Sequence, residues 1–202
     1  MLKTKIYAGS IGNLTDARYF AAWYANWMGF NMEKCISGII SIQEIAAIKE
    51  WVDVEEFTAE FSGLEDPNVI LGLSSSLEIN TVKVGPFCPI PTLETLRDKI
   101  VFKEIIFENS TPISTLSANI EKEKEYVDHF IIKGQSNCQT HYLEENFNDI
   151  SFYFDLPNMA SFIQRGVLNS KICEGIVVKG GDEEKVGLKS FEELDEVYEL
   201  LL

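Results

Sequence analysis

The sequence predicts a closed (β/α)8 barrel of the TIM type, compact and single-domain over residues 1–202. Three observations predict it. Eight short apolar runs with strand character recur along the chain. A helical pattern separates each run from the next, which is the signature of a parallel β/α architecture. No low-complexity linker or charge block divides the 202 residues, a length at the small end for this barrel. An open, doubly wound sheet is the competing arrangement of the same alternation.

The elements follow in order. Lys5-Ile6-Tyr7-Ala8-Gly9 is the first strand and opens into a Gly-containing turn. Asn13 is placed to cap the helix that runs through Trp23-Tyr24, because its side chain can accept an orphan backbone N–H. Trp27 to Met32 is the second strand. Ser41-Ile42-Gln43-Glu44 fits the capping box S-x-x-E, and helical spacing follows over Ile45 to Val52. Strands are expected at Phe57–Phe61, Thr81–Val84, Val101–Glu108, His129–Lys133, Ser151–Asp155 and Gly175–Lys179. The intervening helices are expected at Asn68–Leu77, Thr92–Asp98, Leu116–Tyr126, Tyr142–Phe147 and Asn158–Arg165. Ser190 is read as the cap of a last helix, Phe191–Leu201, whose first-turn Glu192 and Glu193 suit the positive end of its dipole.

Composition bounds the partners. The formal charge of −15 argues against nucleic acid, whose phosphates need a basic face. No run approaches the roughly 18 apolar residues of a membrane span, and no secretory h-region follows the N-terminus. Cys35, Cys88, Cys138 and Cys173 form no C-x-x-C pair, which points to reduced thiols in a cytoplasmic protein. Two histidines, His129 and His141, are too few for an obvious metal site.

Lys5-Ile6, Asn13-Leu14-Thr15-Asp16-Ala17 and Gly29-Phe30 resemble the opening of phosphoribosylanthranilate isomerases, which reads K-I-C-G-I-T-N-L-E-D-A with G-F at the second strand. Gly181, Glu183, Gly187, Lys189 and Ser190 are spaced like that family's S-G-V-E-x-x-x-G-x-K-D. The resemblance implies a monomeric or homodimeric barrel of tryptophan biosynthesis, without metal or organic cofactor. It implies an Amadori rearrangement, in which an acid opens the sugar ring and a base removes the C2 proton. The family's base is the Cys of K-I-C and its acid an Asp ending the sixth strand. An Arg after the second strand holds the anthranilate, and amides after strands seven and eight hold the phosphate.

Carried onto this chain, that chemistry is altered. Tyr7 stands at the base position, and Tyr titrates near ~10 in the absence of tuning. Lys133 stands at the acid position, with a reference value of ~10.4. Gly38 falls where the Arg is expected, and Phe154-Asp155 falls at the glycine pair after strand seven. Lys179-Gly180-Gly181 replaces S-S-G, and Gly180 and Gly181 can still offer amides to a phosphate. The expectation is a barrel with a small-molecule site in which the family reaction is lost or changed. An active isomerase working through Tyr7 and Lys133, and a non-catalytic binding or partner scaffold, are the alternatives.

Charges end five strands: Lys83, Glu108, Lys133, Asp155 and Lys179. Active sites of this fold lie at the C-terminal strand ends. Pointing inward, the five would form an alternating ring able to bind a phosphorylated or zwitterionic small molecule. Lys133 beside carboxylates also has the makings of a Schiff-base nucleophile. Blander readings stand beside these: charges where strands meet water, Tyr7 as a packing aromatic, and an internal ion-pair network. Trp23, Trp27 and Trp51 are expected between helices and barrel. Pro86, Pro89 and Pro91 are expected to stiffen the loop after strand four, and Glu121–Glu125 to be a solvated face.

Overall fold

A computed structural model describes residues 2–36, 40–63, 66–108, 110–134, 140–147, 149–180 and 190–202. Eight parallel strands, β1 (Lys5–Ile11), β2 (Trp27–Asn31), β3 (Glu56–Phe61), β4 (Thr81–Val84), β5 (Ile100–Phe107), β6 (His129–Gly134), β7 (Phe152–Asp155) and β8 (Cys173–Lys179), pair in sequence order. The sheet closes where β8 pairs with β1, from Lys5↔Gly175 to Gly9↔Lys179. The expected barrel is the one observed, and the open sheet is excluded.

Helices α1 (Leu14–Ala22), α2 (Glu33–Ile36), α3 (Ile42–Trp51), α4 (Pro67–Ser76), α5 (Ile90–Thr95), α6 (Ile113–Glu123), α7 (Thr140–Asn146), α8 (Met159–Gln164) and α9 (Glu192–Leu201) surround it. The Asn13 cap forms, its side-chain oxygen accepting the Asp16 amide at 2.9 Å. So does the capping box: Ser41 Oγ accepts the Glu44 amide at 3.1 Å, and Glu44 Oε2 accepts the Ser41 amide at 2.6 Å. Ser190 is displaced from its expected role. Phe191 occupies the cap position of α9, and Ser190 Oγ accepts only a 3.4 Å bond from Glu192 N. The one-turn helix α2 was not expected; Asn31 Oδ1 accepts the Glu33 amide at its start, at 3.0 Å.

Period-two alternation divides the core. Outward strand residues pack under the helices, whereas Tyr7, Phe102, Ile131, Tyr153 and Val177 fill the barrel. Trp23, just after α1, was expected between helix and barrel and stacks on Tyr198 of α9. Trp27 departs from that expectation, because its strand position points it into the barrel floor, where Nε1 donates to Tyr153 Oη at 3.0 Å. Trp51, at the end of α3, is 71% exposed and packs into neither layer. Below these rings, Glu174 gathers Lys5 (3.1 Å), His129 (3.3 Å) and Ser151 (3.1 Å) at the N-terminal face.

The loop after β4 is held by more than its prolines. Lys103 points out of the barrel, and its ammonium donates to the carbonyls of Pro86 (3.0 Å), Gly85 (3.4 Å) and Cys88 (3.5 Å). It also pairs with Glu123 at 3.6 Å. Glu123 is therefore an exception to the solvated face expected of α6.

Candidate functional site

The strand ends at the C-terminal mouth carry a polar network from β1 to β6 and, beside it, an ion pair between β7 and β8. On β1, the Tyr7 hydroxyl donates to Glu60 Oε1 of β3 at 2.9 Å. The chain then bulges between Ala8 and Ile11, and Ser10 turns to a left-handed φ of 57°. That turn aims its amide (2.9 Å) and hydroxyl (3.3 Å) at Glu60 Oε2. Lys83 of β4 lies 3.3 Å from Glu60 Oε1 and 3.0 Å from Glu104 Oε1 of β5. Glu104 Oε2 faces Lys133 of β6 at 3.6 Å. Lys133 is the register partner of Asp155 on β7, and Asp155 is hydrogen-bonded to Lys179 of β8.

Gly29 of β2 makes room for the first link. A Cβ there would stand 2.6 Å from the Glu60 carboxyl carbon and 2.8 Å from Tyr7 Oη, closer than packed atoms approach. This is the physical use of the glycine in the Gly29-Phe30 pair.

Burial and charge set the protonation states. Burial, reinforced by the Glu60 charge and hydrogen bond, holds the Tyr7 phenol well above its ordinary value. Burial works against the Lys83 ammonium, but Glu60 and Glu104 outweigh it and raise its value. Burial also opposes ionisation of Glu104; Lys83, with Lys133 and Lys179 adding, prevails and lowers its value. Three basic and three acidic side chains share the mouth.

The network separates groups that are occupied from groups that can act. Glu60 accepts from Tyr7, Lys83 and twice from Ser10, about the four contacts a carboxylate can take. Lys83 is buried between two carboxylates. Glu104 Oε2 and the side chains of Lys133 (49% exposed), Asp155 and Lys179 (37% exposed) remain facing the mouth, on β5 to β8.

Four of the five expected ring charges, Lys83, Lys133, Asp155 and Lys179, occur at this mouth. Glu108 does not. β5 ends at Phe107, and Glu108 lies exposed in the turn beyond it, its amide donating to Thr111 Oγ1 and its carboxylate accepting from Ser110. Glu104, one inward position deeper, is the β5 acid, and Glu60 was not anticipated. Their signal was a charge inside an otherwise apolar strand, at F-T-A-E-F and V-F-K-E. Tyr7 and Lys133 are linked only through Glu60, Lys83 and Glu104 among the described contacts. Gly180 follows β8 directly, half-buried; Gly181 and Gly38 lie outside the described residues, as does Cys138. Cys35 and Cys173 are free thiols, and the Cys88 thiol donates to the Pro89 carbonyl at 4.0 Å.

No family model and no curated protein matches the sequence. Solved structures do match. A phosphoribosylanthranilate isomerase from Pyrococcus furiosus superposes with a TM-score of 0.76 at 14% identity, over 98% of both chains. One from Thermotoga maritima gives 0.75 at 17%, and one from Thermus thermophilus 0.71 at 16%, each over 98% of both chains. The fold is that of the phosphoribosylanthranilate isomerases. At these identities the likeness is one of architecture, and chemistry has to be argued from the site. No described helix is long and apolar enough to cross a membrane.

Proposed function

We infer that this chain is a divergent barrel of the phosphoribosylanthranilate isomerase type that binds a small anionic or zwitterionic molecule over β5 to β8. Its reaction is not the Amadori isomerisation carried out with Tyr7 as base. The observation that carries this reading is the Tyr7–Glu60 hydrogen bond, 2.9 Å long and fully buried. A base needs a free lone pair and a protonation state matched to neutral pH. Tyr7 is instead a proton donor, and its phenolate would face the charge of Glu60. Ligand binding is supported by the two part-exposed ammonium groups, Lys133 and Lys179, with Asp155 between their strands.

The backbone amide of Gly180 after β8 and the cation at Lys179 support an anionic substituent on the ligand; Gly181, the second amide that the resemblance implies, lies outside the described residues. Free thiols and an acidic composition support a cytoplasmic setting, as monomer or homodimer. The test is direct. Phosphoribosylanthranilate, generated in situ, is followed by loss of its fluorescence in the presence of the purified protein, alongside rescue of an isomerase-deficient bacterium on tryptophan-free medium. The expected outcome is no turnover above background and no growth. Turnover abolished by Tyr7→Phe would overturn the reading.

A further inference from the structure

We propose that Lys133 forms a covalent imine with a small carbonyl compound carrying an anionic group, and that Lys179 receives the anion. This rests on the inference that the barrel mouth is a small-molecule site.

The three mouth lysines are not equivalent. Lys83 is buried and touches Glu60 and Glu104, so losing its proton would leave two carboxylates without their cation. Lys179 is hydrogen-bonded to Asp155. Lys133 is half exposed, and its nearest partner, Glu104 Oε2, lies at 3.6 Å, beyond hydrogen-bond reach. It has no other partner among the described residues. Lys133 is therefore the lysine that can become a neutral amine without breaking a hydrogen bond, and the neutral amine is the nucleophile. Glu104 already serves Lys83 through Oε1, while its Oε2 keeps a lone pair toward Lys133. A shift of a few tenths of an ångström closes that contact, so Glu104 can relay a proton between nitrogen and the departing oxygen.

In the step itself, the Lys133 ammonium first gives one proton to solvent. The Nζ lone pair then bonds to the carbonyl carbon as the C=O π pair moves to oxygen, which takes up a proton. The nitrogen gives a proton to Glu104, and its lone pair then expels the hydroxyl, which leaves with that proton as water. Ammonium plus carbonyl becomes protonated imine plus water, with no oxidant or reductant consumed. Lys179, two strands from Lys133 and part-exposed, is the cation that takes a carboxylate or phosphate of the same molecule alongside its bond to Asp155.

The full-length protein is incubated with glyoxylate, glyceraldehyde 3-phosphate or propanal at equal concentration and with cyanoborohydride. Reduced adducts are located by peptide mass spectrometry, and binding of the two anions is followed separately by saturation-transfer NMR. The expected result is at least tenfold more adduct on Lys133 than on the exposed Lys122 of α6. One of the anionic carbonyls should exceed propanal, and which one it is separates carboxylate from phosphate. Lys133→Arg should abolish the excess, and Lys179→Met should erase the preference for the anion, both with unchanged circular dichroism. Equal labelling of Lys133 and Lys122 overturns the imine. If the anions still bind, the mouth stands as a binding site; if they neither bind nor label, both readings fall.

Discussion

Lys83 holds a full positive charge inside the barrel, and the two carboxylates that flank it make that charge tolerable. Removing one member of a buried ionic cluster leaves its partners uncompensated, at a cost of about 3–5 kcal/mol. Lys83→Met should therefore lower stability to urea by that order at pH 7. The loss should shrink at pH 5, where one of the facing carboxyls can take up a proton. A loss under about 1 kcal/mol would mean that water already reaches Glu60 and Glu104. These two acids were the part of the site least visible in the sequence. A charge at the last position of a strand is easy to find, whereas Lys103 and Glu104 are neighbours of opposite fate, one feeding a loop outside the barrel and the other facing the mouth. Parity decides between them, and parity is set by pairing with β4 and β6, not by local sequence.

Two helices, α1 and α4, end without the residue that usually ends them, whereas α8 is followed by Gly166 at a φ of 89°. After α1, the amides of Tyr24 and Ala25 donate to the carbonyls of Ala21 and Phe20; after α4, those of Glu78 and Ile79 donate to Ser75 and Ser74. Both are Schellman closures, which put one residue in the left-handed region, normally glycine. Here those residues are Tyr24 (φ 58°) and Glu78 (φ 53°). Tyr24 is 82% exposed, so no packing holds it there. Tyr24→Gly should stabilise the protein by about 0.5–1 kcal/mol, the relief of left-handed strain less the extra freedom of glycine when unfolded. A thermal midpoint that stays put or falls would show that the aromatic ring contributes more than its backbone costs. The starts of α1 and α3 were legible in Asn13 and Ser41 because their caps are local side-chain bonds. The cap of α9 was misread by one position, since Ser190 reaches its helix only at 3.4 Å.

Over the molecule as a whole, the two barrel ends do different work. The floor is closed by aromatic rings and by Glu174, and the mouth is left to the mixed-charge network. Burial opposes ionisation of Glu174, but the bonds from His129 and Lys5 prevail and pull its carboxyl down to about 2. A depressed carboxyl contributes stability in full above its ordinary value near ~4.5, and that contribution is lost as pH falls toward about 2. Urea midpoints of the native protein and Glu174→Gln should therefore converge across this window, by about 2 kcal/mol after allowance for partial exposure. Parallel curves would detach Glu174 from the stability of the floor. The barrel itself was legible because eight strands and their helices announce themselves by period alone. The network at its rim was only half legible, because it depends on which strands become neighbours once the ring closes. Tyr7, Gly29 and Glu60 illustrate the cost of such interdependence, since each makes sense only with the other two on adjoining strands. A cysteine placed at position 7 alone would strip a hydrogen bond from the buried Glu60 carboxylate. A change at any one of the three therefore damages the other two, and positions 7, 29 and 60 are bound to vary together or not at all.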